Sequence, residues 1–309
     1  MAWTLEPSQL LPVGAAAALY GWQLGRLRRR GRHVSAVKTA CFFAGLAALT
    51  FALVSPLDSI GESRLFSVHM AQHVVIGDLA PLFIVLGLSG PLLRPLLAFR
   101  WVQRARFLTH PLVALPFWAI ALCLWHIPTL YDAALENSAV HALEHACFFT
   151  GGLLLWTALL GLLPGPRWFG LGARLSALGF VWLVGGALAN VLLWSTQPFY
   201  PPYVEAPRMW GLSPLADQHA GGGVMLLEMM LVGAVVFVAV GLAWFEDAER
   251  RQLRLDAAGS AGVPSIAASR AVPGVPSGAA RSAPPAVTAS PAARAGSGEE
   301  RPRSAASRA

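Results

Sequence analysis

Charge is what this sequence has least of: Asp, Glu, Lys and Arg make up 13% of its 309 residues, against about a quarter in a soluble globular chain. Beside a hydrophobic share of 55%, that scarcity excludes an ordinary water-soluble domain and points to the bilayer as solvent. Paired cysteines are missing as well. Cys41, Cys123 and Cys147 form no CxxC and no disulfide-like framework, and each reads as a small buried apolar side chain. No basic residue precedes the first apolar run, so a cleaved signal peptide is not expected. Acidic residues are absent from three connecting segments, 26–38, 88–110 and 162–175, each of which carries arginine.

What is present is long apolar sequence. Runs able to cross roughly 30 Å of hydrocarbon as helix recur at 10–27, 37–55, 64–87, 111–129, 138–161, 175–195 and 222–245. The expectation is an all-α polytopic membrane bundle of seven transmembrane helices over residues 1–250. Basic residues are retained on the cytoplasmic side. The arginine-bearing segments therefore lie inside, and the opposite set, with Glu6, Asp58, Glu62, Asp132, Glu136, Glu205 and Asp217, lies outside. This places the N-terminus outside and the C-terminus in the cytoplasm. The net charge of +7 reports this topology and calls for no nucleic acid. Residues 251–309 form a basic Ala/Pro/Ser-rich cytoplasmic tail that starts at the end of a polar helical exit. From 257 it has no hydrophobic periodicity and is expected to be disordered.

Histidine is distributed unevenly across this topology. His33 and His110 fall in basic loops, whereas His69, His73, His126, His141, His145 and His219 all reach the outer membrane surface. Two pairs share a pattern: H-M-A-Q-H at 69–73 and H-A-L-E-H at 141–145, both H-x-x-[Q/E]-H. Side chains four apart are stacked about 40° apart on one helix face, which lets two ring nitrogens meet one ion. Gln72 and Glu144 project to the side, within reach of a ring on another helix as outer acceptors that fix its tautomer. A single intramembrane histidine is often only hydrogen-bonded to a neighbour. Six at similar depth carry an insertion cost that a bound metal offsets.

Imidazole suits zinc, copper, iron and nickel, and nearby thioethers tilt the choice toward copper. Met70, Met225 and Met229, with Met209 in the loop before them, are candidate soft neighbours, although methionines also fill cores. Cys123 lies one turn before His126 and is a candidate thiolate. Asp78 and Glu228 lie deeper in the third and seventh spans, and intramembrane carboxyls mark ion paths, proton relays or helix pairing. Asp78 is rotated away from His69, so it is not expected as a ligand; it and Glu228 are free to pair with Asn190 or with each other.

Five ordered motifs then carry a family resemblance: S-P-L-D at 55–58, H-M-A-Q-H with A-P-L at 80–82, W-H-I-P at 125–128 with Y-D-A-A-L, H-A-L-E-H with G-G-L-L-L-W, and L-A-D-Q at 215–218. The chain resembles the CtaG family of cytochrome c oxidase assembly factors, seven-helix bacterial membrane proteins required for haem-copper oxidase of the caa type. The resemblance covers roughly 37–245. It implies a multi-pass protein of the bacterial inner membrane that works with cytochrome c oxidase subunits and a periplasmic copper donor, binding and delivering copper without catalysing a reaction. His69, His73, His126, His141 and His145 occupy matching motif positions, as do Asp217 and Gln218, and His219 extends the set at the start of the last span. The sequence departs from the family pattern at Asp78, at His219 and at M-L-L-E around Glu228. Three alternatives remain open: a zinc metallopeptidase using H-x-x-E-H at 141–145, a bis-histidine haem protein, and a scaffold whose histidines only pack the bundle.

Overall fold

The structure is a computed structural model that describes Trp3 and residues 7–261, with side chains to residue 256. All regular structure among the described residues is helical. Helix α1 spans Pro7–Arg29, α2 Ala36–Val54, and the short α3 Pro56–Ser63 links α2 to α4, Phe66–Gly87. Two short basic helices, α5 (Gly90–Leu97) and α6 (Arg100–Ala105), lead into α7, Pro111–Trp125. Next come α8 (Pro128–Glu136), α9 (Ser138–Leu160), α10 (Leu171–Leu193), α11 (Pro201–Glu205) and α12 (Pro214–Ala261).

Five of these, α2, α4, α9, α10 and α12, are long and apolar enough to cross a bilayer. A sixth candidate joins Arg100–Thr109 to α7 across a bend of 71°. Helix α1 forms where the first span was expected, but its glutamines and terminal arginines keep it outside that set. The last helix continues through the polar stretch read as its exit and on to Ala261. The ion pairs Arg250–Glu246 and Arg251–Asp247 and the Gln252–Asp256 hydrogen bond, all at i,i+4, account for this polar extension. The expected disorder from 257 onward falls mostly outside the described residues.

Local chemistry fixes the helix ends. Pro56 and Pro111 sit in the first turns of α3 and α7, and Ser55 and His110 accept from Leu57 and Leu112 backbone N–H. Asn137 caps α9 by accepting from Ala139 and Val140, and Gly161 ends it at φ 65°. Helix α4 has no local side-chain cap, and Asp217 of α12 supplies one from 150 residues away. Its Oδ2 accepts from Phe66 N at 2.6 Å, and its Oδ1 accepts from Ser67 N at 3.1 Å and Ser67 Oγ at 2.5 Å.

In the middle of α4, residues Val75–Leu79 widen into a π-turn, with Ala80 N donating to Val75 O. Pro81 explains it: proline lacks an N–H for the Gly77 carbonyl, and its ring crowds that oxygen. Helix α9 packs against this carbonyl through Gly152, where a Cβ would come within 2.0 Å of Gly77 O. Only glycine permits that approach, and it holds α4 and α9 side by side. An apolar core of Leu155, Leu159, Leu178, Val236 and Val240 joins α9, α10 and α12 at one level. At the other level Phe66, Met70, Tyr131, Tyr200, Tyr203 and Met225 pack together.

Candidate metal centre

Helices α4 and α9 face each other through their H-x-x-[Q/E]-H segments. Ring centroids are 4.2 Å apart for His69–His73 and 4.1 Å for His141–His145 within the helices, and 5.5 Å for His69–His141 and 5.3 Å for His73–His145 between them. Four imidazoles thus form a rough square. First histidine meets first and second meets second, so the two helices run in the same direction. One nitrogen or oxygen from each of His69, His73, His141 and Glu144 lies within 4.8 Å of the others, and all four residues are buried.

The donor atoms are otherwise idle. Both ring nitrogens of His69 and of His73, Nε2 of His141 and of His145, and both Glu144 oxygens are buried without a hydrogen-bond partner. These are eight of the fifteen such side-chain atoms among the described residues. Each unmet polar atom costs about 1–3 kcal/mol, so gathering eight of them in one place is unfavourable unless something completes them. Three imidazoles and a carboxylate converging on one point are a donor set that fits a zinc- or copper-class ion.

Glu144 was expected behind the ligands and instead stands among them, 3.9 Å from His73 Nε2. Gln72 is not behind them either. Its Nε2 donates to Ala52 O at 3.1 Å and to Asp58 Oδ1 at 2.7 Å, fastening α2 and α3 to α4. The outer acceptor is Glu62 of α3, whose Oε1 lies 2.5 Å from His141 Nδ1. That bond places the His141 proton on Nδ1 and turns the Nε2 lone pair toward the cluster. No local pattern around Glu62 announces it, because its partner is 79 positions away on another helix.

The remaining sequence candidates lie elsewhere. His126, at the C-cap of α7, bonds Leu122 O through Nδ1 at 2.7 Å; it stays out of the four-residue group, with the Phe148 ring 4.8 Å from His73 and 6.1 Å from His126. His219 Nε2 meets Ser195 O at 2.9 Å and ties down the α10–α11 loop, beside Gln218, which bonds Phe199 N and Ser195 Oγ. Cys123 is exposed on α7, against the expectation of a buried side chain, and lies outside the four-residue group. Met70 and Met225 are packed among Phe66 and the tyrosines. Asp217 acts at one remove, capping the helix that carries His69 and His73.

A roof of three tyrosines covers the cluster, and sequence reasoning missed two of them. Tyr131 OH donates to Tyr203 OH at 3.0 Å, Tyr203 OH donates to Gly61 O at 2.8 Å, and Tyr200 OH donates to His126 O at 3.0 Å. The Tyr131 ring lies 5.3 Å from His69. Burial pushes the Tyr131 and Tyr203 phenols well above their ordinary range, so they remain neutral donors. On the flank of the square, a cleft of about 730 Å³ is lined by Asp58, Glu62, Ser138, His141 and His145.

Comparison with known proteins gives a consistent picture. A family model described as cytochrome c oxidase caa3 assembly factor (Caa3_CtaG) matches residues 18–247. Uncharacterised proteins of Mycobacterium bovis and Mycobacterium tuberculosis are each 28% identical over 270 residues, and one of Mycobacterium leprae is 27% identical over 267. Each match covers 79% of this chain and 40% of the relative, so the chain spans well under half the length of these proteins. No solved structure matches it.

Proposed function

Because the chain belongs to the cytochrome c oxidase caa3 assembly factors, we propose that it matures that oxidase by binding copper between α4 and α9 and passing it on. His69, His73, His141 and Glu144 would hold the ion, with His145 as the adjoining fifth group. The observation that carries this reading is the convergence of their unpartnered donor atoms within 4.8 Å. Capture and release then proceed by ligand exchange with no covalent chemistry. The cleft beside His141 and His145 is the entry for cargo, and the acidic Asp58 and Glu62 at its wall attract a cation. Oxidase subunits as acceptors and a periplasmic copper donor complete the proposal.

The topology follows the same reading: seven spans in the bacterial inner membrane, with α1 as the first, the N-terminus outside and the cluster near the outer surface. Parallel α4 and α9 support this, since the chain must cross once between them and only α7 is available. Three imidazoles and a carboxylate also suit zinc, which is a second candidate cargo. Metal analysis of the purified full chain tests both. Copper or zinc in wild type and none in a His69→Ala/His141→Ala variant is the expected result; equal metal in the two would overturn the assignment. Caa3 oxidase assembly in cells carrying the same variant tests the biological role separately.

A further inference from the structure

The cluster leaves two carboxyl groups inside the bundle unexplained. Asp78 lies in the π-turn of α4 and Glu228 lies on α12, and both line one small cavity inside the bundle. From α9, Trp156 Nε1–H donates to Asp78 Oδ1 at 2.5 Å. Two carboxylates around so small a space repel each other, so one proton held between the two groups is the favoured state. The indole donor favours the charged form at Asp78. Glu228 is then the acid, and its Oε1 is buried without a partner.

These groups border a cavity of about 80 Å³, which they share with His73, His126, Met225 and Met229. At about 30 Å³ per water in the liquid, that space has room for roughly two waters. His126 is 7% exposed, and its Nε2, unpartnered and buried, lines the same space. The titratable groups around the pair are therefore Trp156-anchored Asp78, Glu228, the two imidazoles and the Cys147 thiol from α9. A π-turn also carries Asp78 to this cavity, and such turns recur at functional sites.

We propose that Asp78 and Glu228 form an intramembrane proton-binding site that holds one shared proton and exchanges it through water in the adjoining cavity. The site is separate from the metal cluster and does not depend on what that cluster binds. A proton leaving Glu228 passes to cavity water, and one returning from water restores the Glu228 O–H, so the charge of the pair is unchanged over a cycle.

Infrared spectroscopy of the full chain in lipid vesicles, in H₂O and D₂O, tests this. The expected result is a protonated-carboxyl C=O band at neutral pH that shifts within minutes in D₂O and is lost in Glu228→Gln. Asp78→Asn should shift the same band, because the Glu228 carboxyl remains and its neighbour changes; should that variant misfold, the Asp78→Asn/Glu228→Gln double variant, with an amide pair, should lack the band. A flat carboxyl region in the wild-type minus Glu228→Gln difference spectrum would overturn the shared proton. A band that exchanges only as slowly as the helix amides would overturn the link to the cavity. Metal content should be the same in Glu228→Gln and wild type, and its loss would make the pair part of the metal cluster rather than a site of its own.

Discussion

H-M-A-Q-H on α4 and H-A-L-E-H on α9 share a spacing, yet the Gln and Glu between their histidines face opposite tasks. Gln72 turns away from the imidazoles and donates to Ala52 O and Asp58. Glu144 turns inward and meets no donor among the described residues. The difference lies in what each group offers. An amide carries two N–H donors, which here go to a carbonyl and a carboxylate while Gln72 Oε1 stays unpartnered, so it serves as a strut between α2, α3 and α4. A carboxylate only accepts, and in a pocket of imidazoles it is completed by an ion. One repeat therefore supplies scaffold and the other supplies charge.

The largest effect should come from breaking the square itself. Replacing His69 and His141 together removes one ring from each helix, and bound metal should fall to background while helix content by circular dichroism is retained. Glu144→Gln, which makes the α9 repeat resemble the α4 one, should weaken metal affinity at least about 10–100-fold, the range seen even for outer partners. The reciprocal change sharpens the contrast. Gln72→Leu leaves the Asp58 carboxylate and the Ala52 carbonyl without their donor, a cost of about 1–3 kcal/mol for each group. It should lower the melting temperature in detergent and leave metal stoichiometry unchanged. If Gln72→Leu and Glu144→Gln move the same observable, the division of labour between the repeats is wrong.

The repeats illustrate how far sequence reasoning reaches. Spacing of four residues placed His69 with His73 and His141 with His145 on single faces, and hydropathy placed the helices that carry them. Spacing says nothing about which face meets which, so Gln72 and Glu144 looked equivalent until their neighbours were known. Glu62, Tyr200 and Tyr203 were illegible for the same reason, each acting on a residue far away in the chain. His126 and His219 had the right depth and the wrong azimuth: one is held by its own helix at Leu122 O, the other by the Ser195 carbonyl. Asp217 was recognised as part of a motif, but its use as a helix cap across 150 residues needed coordinates.

Smaller effects probe the shell around the contrast. Glu62→Gln keeps a hydrogen-bond acceptor for His141 Nδ1 and loses its charge, so metal affinity should fall by about 10-fold, the lower end for such partners. A change in the metal titration no larger than that of an exposed control such as Glu136→Gln would remove Glu62 from the site.

The smallest effect concerns Asp58, which receives the Gln72 amide. Burial raises its pKa above the ordinary 3.8, with the Gln72 hydrogen bond opposing that shift, the Glu62 charge adding to it and His141 opposing it. A carboxyl raised in the folded state binds its proton more tightly there than in the unfolded chain. Its contribution to stability is therefore fully present below the unfolded value and is lost as pH rises through the folded one. Asp58→Asn cannot ionise and still accepts from Gln72 through its side-chain carbonyl. Its melting temperature should decline less than that of wild type between about pH 4 and pH 7, the interval spanned by an elevated carboxyl. Parallel melting curves for the two proteins across that interval would mean that water reaches Asp58 and that Gln72 braces a solvated carboxylate instead of a buried one.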